Sequence, residues 1–177
     1  MEKERKRHLL ALGSYGCYFF TNFGKELDFD SFIIVNDVPP EDINVPCEYI
    51  YFPERKQFSC IIAGRKMPER LKELLRNLDG EIVCLAALGF GSGTGLYEAV
   101  GGFIRTLDKT EKFKFISIRS PEIEGGYPVK EANRVALRLT DLNQRSVSLD
   151  DLKIGYGYYS LEDYYQKGDE WVFEKLK

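Results

Sequence analysis

The stretch Gly89-Phe90-Gly91-Ser92-Gly93-Thr94-Gly95 places glycine at four alternate positions, with a hydroxyl residue on either side of Gly93. It follows the apolar run Ile82 to Leu88 and precedes an amphipathic segment, so it joins a buried strand to a helix amino terminus. Glycine lets the backbone turn through positive φ and approach a ligand closely, while the helix end offers free N–H groups and a positive dipole. Such a turn suits phosphate; the same residues also make a plain tight turn between strand and helix.

A second turn of this kind lies upstream. His8 to Leu12 reads as a short buried strand, and Gly13-Ser14-Tyr15-Gly16 as the turn into a helix from about Cys17 to Leu27. Ser31 to Val35 is a dense, β-branched apolar run stopped by Asn36-Asp37, the place where α/β proteins put ligand contacts and also where ordinary turn chemistry falls. Cys47 to Phe52 alternates well enough for an edge strand on an antiparallel excursion, and Ser59 to Ala63 reads as another short strand, followed by a loop over Gly64 to Pro68.

The clearest helix has Leu71, Leu74, Leu75 and Leu78 at i, i+3, i+4 and i+7, with charged residues on its other face and Asp79-Gly80 closing it. Glu81 to Leu88 is a continuous apolar strand of the type buried on both faces in a parallel sheet. The helix after the glycine loop buries Leu96, Val100, Phe103, Ile104 and Leu107, and Gly101-Gly102 within it permits close packing on the sheet. Lys112 to Ile118 alternates as a strand, Pro121 to Pro128 is a loop, and Ala132 to Leu142 is one more amphipathic helix. Ser146 to Leu149 reads as a last core strand, after which regular alternation fades into a carboxy-terminal cap over 150–177, rich in Tyr and holding the single Trp; such a cluster also suits a protein-binding face. The whole predicts one α/β domain over 1–177: a three-layer, Rossmann-like, mostly parallel sheet with helices on both faces and a mobile tail at 1–7.

Composition removes several classes of function. With 44% hydrophobic residues in 177, the chain has enough apolar surface for one sizeable core. A formal net charge of -3 argues against nucleic-acid binding, which favours a basic face. The short Leu9 to Leu12 run is no secretory signal, and no segment has the ~18 apolar residues of a membrane span, which predicts a cytoplasmic protein with no membrane partner. The four cysteines are scattered singly and His8 is the only histidine, so neither a zinc site nor a disulfide framework is implied. Ser14 and Ser92 lack the flanking glycines of a nucleophile elbow.

Two common nucleotide signatures fail. A G-x-G-x-x-G frame begun at Gly91 lands on Leu96 and one begun at Gly89 lands on Thr94, and no Gly-Lys-Ser/Thr follows either glycine turn. The loop instead resembles the G-G-G-T-G-(S/T)-G signature of the tubulin/FtsZ family. Four other stretches resemble that family in order: Gly13-Ser14-Tyr15-Gly16-Cys17 its first glycine loop, Phe32 to Asp37 its F-I-A-V-N-T-D strand end, Ala63-Gly64 with Pro68-Glu69 its A-G-x-x-P-E loop, and Pro121 to Gly125 its P-F-x-F-E-G segment.

The resemblance implies a protein that binds GTP or GDP. Gly13, Ser14, Gly16 and Cys17 would approach the phosphates from one side, and Gly91, Ser92, Gly93, Thr94 and Gly95 from the other. Gly64 and Arg65 would sense the γ-phosphate, Asn36 and Asp37 would lie near the ribose or Mg2+, with Asp37 at the metal, Glu124 would hold the sugar, and Tyr18 stands where the family reads the nucleotide. Phe90 replaces a glycine of the signature, and Gly126-Tyr127-Pro128 stands where an arginine is expected. The family's second domain, whose acidic loop activates water on a neighbour's nucleotide, is not matched by this sequence. The expectation is therefore at most a weak GTPase that needs a partner-supplied catalytic group, associating with itself or with another protein of tubulin/FtsZ type. Two further readings stay open: an interaction module on a degenerate scaffold, with Phe90 and Tyr18 filling the pocket, and a small α/β enzyme acting on another phosphorylated ligand through Asp37 or Glu124.

Overall fold

The computed structural model describes residues 5–53 and 60–177. Six strands form one sheet: β1 (Arg7–Leu12), β2 (Ser31–Asn36), β3 (Glu48–Tyr51), β4 (Glu81–Leu88), β5 (Phe113–Arg119) and β6 (Gln144–Ser148). Their order is β3-β2-β1-β4-β5-β6, and each neighbouring pair is parallel. Among the described residues six α-helices connect or cover them: α1 (Gly13–Phe23), α2 (Cys60–Arg65), α3 (Glu69–Asn77), α4 (Gly91–Thr106), α5 (Gly126–Arg138) and α6 (Leu161–Leu176).

Strand periodicity divides the core into two layers. Leu10, Leu12, Cys84, Ala86, Leu88 and Phe115 point to the face covered by α3, α4 and α5. The intervening Leu9, Val83, Leu85, Ile116 and Ile118 point to the face covered by α1 and α6, where Phe19, Tyr164, Val172 and Leu176 meet them. Both faces of the central strands are therefore apolar, which is why β4 reads as an uninterrupted hydrophobic run. The predicted three-layer α/β fold is the observed one.

Four local expectations are corrected. The segment around Tyr49 is a parallel edge strand, with Val35 opposite Ile50, and not an antiparallel excursion. Residues 60–65 form helix α2, although their β-branched pair reads as strand, because α2 lies backbone to backbone on α4; Ser59 lies outside the described residues. The predicted last core strand is β6, a half-buried edge strand displaced towards Gln144. The carboxy-terminal cap is a regular 16-residue helix, α6. Its start is fixed by a reciprocal cap: Ser160 Oγ accepts from the Asp163 N–H at 3.1 Å, and Asp163 Oδ2 accepts from the Ser160 N–H at 2.7 Å. No described helix is long and apolar enough to cross a membrane.

Candidate anion-binding site at the sheet switch point

The strand order reverses between β1 and β4: β1 hands the chain on to β2 on one side and β4 to β5 on the other. Ligands of open parallel sheets bind beyond the carboxyl ends of the strands at such a point. Both glycine turns emerge there. Gly13 follows β1 and opens α1, and Gly89 to Gly91 follow β4 and open α4.

The two turns touch. Gly13 has φ +72°, and a Cβ built on it would lie 2.6 Å from both Cα and N of Gly93, so the backbones meet with no room for a side chain. Neither α1 nor α4 has a side-chain cap or an acidic residue in its first turn. Two helix amino termini with free N–H groups thus converge on one cleft, a favourable place for an anion.

Between the turns lies a chain of polar groups in which Asn36, Asp37 and Ser92 are buried and Ser14 is exposed. Ser92 Oγ donates to Asp37 Oδ1 at 3.0 Å. Asn36 Oδ1 accepts from the Asp37 N–H at 2.9 Å and from Ser14 Oγ at 3.5 Å. The cleft so formed has a volume of about 220 Å³ and is also lined by Phe90, Gly91, Ser120 and Tyr165. Among the described residues Asp37 belongs to no cluster of three or more metal-ligating groups.

The predicted site residues divide accordingly. Gly13, Ser14, Asn36, Asp37, Gly91, Ser92 and Gly93 come together at the cleft. Thr94 is fully buried, and its hydroxyl is taken up by the loop itself, accepting from the Gly89 N–H at 3.0 Å and donating to the Phe90 carbonyl at 3.1 Å. Gly95 and Gly64 bring α2 and α4 together: a Cβ on Gly95 would lie 1.9 Å from the Ile61 carbonyl oxygen, and one on Gly64 2.2 Å from that of Ser92. Gly16 lies on β1, with Ala11 beneath it. Cys17 faces Tyr49 and Cys47 on the β2–β3 side, where burial pushes its thiol pKa up. Arg65 points outward to Glu98 and Glu131, at 3.2 and 3.4 Å. Glu124 Oε1 accepts from the Tyr165 hydroxyl at 3.2 Å, at the rim beyond the cleft.

Phe90 and Tyr18 do not fill the cleft. Phe90 sits at its mouth with 56% of its surface exposed, and Tyr18 lies in a neighbouring groove between α1 and α6. That groove is the larger cavity, about 640 Å³. Tyr15 and Tyr165 line both spaces and form the wall between them, their ring centres 6.2 Å apart. Asp169 Oδ1 accepts from the Tyr15 hydroxyl at 2.7 Å and Oδ2 from Tyr18 at 3.3 Å. Burial raises the pKa of Asp169, and burial followed by the neighbouring Asp169 charge raises that of Tyr15.

Ser120, Tyr165 and Asp169 are among the lining residues that the motifs do not announce. A signal for the last two was present: Ser160-x-x-Asp163 heads a run with Tyr164, Gly168, Val172 and Leu176 at helical spacing.

These features define a class: a Rossmann-order parallel α/β domain with a polar cleft between two glycine turns at its switch point. Among solved structures the chain is similar to an FtsZ W319Y mutant from M. jannaschii, with TM-score 0.80 and 15% identity over 97% of this chain and 55% of that one. CetZ2 from Haloferax volcanii, a GTPγS-bound protofilament, gives TM-score 0.70 and 16% identity over 97% and 57%. TubZ of Clostridium botulinum phage c-st gives 0.60 and 10% over 93% and 66%. The domain has the FtsZ-type α/β fold and spans about 55% of the length of that FtsZ chain. No family model and no curated protein matches the sequence.

Proposed function

We propose that this domain binds a guanine nucleotide, GTP or GDP, with the phosphate chain in the cleft between the two glycine turns. The observation that carries the reading is the backbone contact of Gly13 with Gly93, which brings two uncapped helix amino termini to one point. At about 220 Å³ the cleft is below the ~300 Å³ at which whole-ligand pockets begin, so it takes the phosphates and leaves the nucleoside at its rim, where Tyr165 carries Glu124. The choice of guanine rests on likeness of fold to CetZ2, whose structure is described as GTPγS-bound.

A carboxylate beside a phosphate repels it unless a cation lies between them. Asp37, with Ser92 beside it, fits Mg2+, which takes one or two carboxylates and completes its shell with water and phosphate oxygens. When bound, the ion would neutralise phosphate charge. Ser14 and Ser92 supply hydroxyl donors, and the first turns of α1 and α4 supply N–H donors. Among the described residues lining the cleft Asp37 is the one carboxylate, and it is engaged by Ser92; we infer slow hydrolysis by the domain alone, with the water-orienting group brought by a partner.

The partner reading has its own support. Phe90 after β4, Ile123 and Tyr127 after β5, and Ile154, Tyr156 and Tyr158 after β6 are all more than half exposed, and in a parallel sheet those loops share one end. A second chain of the same type would cover this end beside the nucleotide. Equilibrium binding of labelled GTP, with ATP as control and with and without Mg2+, tests the nucleotide reading, together with mass spectrometry of any nucleotide that copurifies. Saturable GTP binding is expected, and no binding at tens of micromolar would sink the proposal.

A further inference from the structure

Among the described residues β6 is an end strand of the sheet, paired with β5 alone. The Phe115 N–H donates to the Asn143 carbonyl at 2.8 Å. Bonding alternates along a parallel strand, so Arg145 and Val147 also turn their backbone groups to β5, while Gln144 and Ser146 turn theirs outward, where no described strand meets them. Beside this edge runs a groove of about 490 Å³ between β6 and α5, which shares no lining residue with the glycine cleft.

The groove carries positive charge and no negative. Arg119 is half-buried; its Nη1 donates to Asn133 Oδ1 at 2.6 Å, its Nε is buried with no acceptor, and among the described residues no carboxylate pairs with it. No Asp or Glu lines the groove. Arg145, exposed on the other face of β6, has no ion pair among the described residues either. A guanidinium fork with donors to spare is matched by a carboxylate.

The spacing suits an added strand. Asn133, which holds Arg119, lies four residues from Leu137, about 6 Å along α5. Alternate residues of a strand are about 6.7 Å apart. A strand laid against β6 would therefore set one side chain at Arg119 and another, two residues away, over Leu137, which is 71% exposed. The residue between them falls on the face of Arg145. A second copy of this chain, paired edge to edge about a two-fold axis, would bring Arg145 beside its own equivalent with no acid between them.

We propose that the β6 edge binds an extended acidic segment of a partner protein by strand addition, with one carboxylate at Arg119, an apolar side chain over Leu137 and a second carboxylate at Arg145. The site is independent of the nucleotide reading, because it needs neither the glycine turns nor Asp37.

The test uses the purified full chain and the blocked peptide Thr-Leu-Glu-Glu-Thr, titrated at low salt and followed by nuclear magnetic resonance at the backbone amides of Gln144 and Ser146. Thr-Leu-Lys-Lys-Thr is the charge-reversed match. The acidic peptide should shift those amides and bind at least about tenfold more tightly than the basic one, weakening as salt rises. Two forms N-methylated on alternate amides separate strand addition from charge attraction: the set facing β6 should lose about tenfold or more, and the other set should keep most of the affinity. Arg119→Gln should weaken the peptide by about tenfold. Arg145→Gln, at an exposed residue, should weaken it by about threefold and keeps the charge test open should Arg119→Gln unfold. Equal binding of the two peptides, equal loss in the two N-methylated forms, or affinity unaltered in the folded arginine variants would each overturn the proposal. So would a dimer of the purified chain in sedimentation that shields the same amides, which would make a second copy the occupant.

Discussion

Gly13 and Gly91 form a matched pair that isolates the contact on which the candidate site depends. Both have left-handed backbone, φ +72° and +76°, so alanine at either position meets the same conformational penalty, about 1–2 kcal/mol. Both substitutions also restrict the unfolded chain, which returns about 0.4–1 kcal/mol. The surroundings differ. A Cβ at Gly91 has nothing within 4 Å, whereas one at Gly13 lies 2.6 Å from the Gly93 backbone, which cannot rotate away as a side chain would. Overpacking of that kind adds about 1–3 kcal/mol. Gly91→Ala should therefore destabilise by about 1 kcal/mol and Gly13→Ala by about 2–4 kcal/mol. In a domain of this size that difference separates the melting temperatures by several degrees. Urea titration of the two variants beside the parent, with the slope checked for constancy, gives the free energies directly. If Gly13→Ala is no more destabilising than Gly91→Ala, the two turns do not meet and the cleft is not built as described.

Gly102→Ala should stabilise by about 0.5–1 kcal/mol in thermal unfolding, because its Cβ would stand in open space on helix α4; no gain would mean that the helix frays there. Glu98 is bonded by Arg134 at 2.8 and 2.9 Å and by Arg138 at 3.0 Å, and Glu98→Gln should cost about 1.5–3 kcal/mol at neutral pH. Those arginines, Arg134 first, hold its folded pKa below the usual value, so the stabilisation is complete above the ordinary glutamate range and is lost as pH falls through the lowered value. Stability measured from pH 7 to pH 3 should show parent and variant converging at the acid end, and a constant gap would refute the assignment. Tyr15→Phe removes the 2.7 Å donor to buried Asp169 and should cost about 1–3 kcal/mol, checked by chemical denaturation; a neutral outcome would mean that α1 and α6 are not tied at that bond.

Sequence alone determined the elements whose signals are local. Glu81 to Leu88 is apolar at nearly every position because both of its faces are covered, and the leucines of α3 with Leu78 at its C-cap keep helical period, so each reads directly from the order of residues. The positive-φ glycines Gly13, Gly89 and Gly91 were legible for the same reason, since only glycine fits positive φ without strain, but the helices begin earlier than read, α1 at Gly13 and not Cys17, and α4 at Gly91 within the glycine loop. Local signals misled where tertiary contact outweighed propensity. The Ile61-Ile62 pair favours strand in isolation, yet Gly64 and Gly95 let α2 and α4 approach backbone to backbone and the segment is helical. Helix α6 is legible in its cap and its spacing, but its tyrosines obscure the apolar stripe.

What only the tertiary structure decided is which of the motif residues face one another. Thr94 and Ser92 look alike in sequence, yet one hydroxyl is consumed by its own loop and the other faces Asp37 across the cleft. Gly64 and Arg65, adjacent in the chain, face the α4 backbone and the half-buried Glu98 and Glu131 respectively. The meeting of Gly13 with Gly93 depends on β1 and β4 being neighbours in the sheet, a pairing between residues 74 apart in sequence that no local pattern encodes.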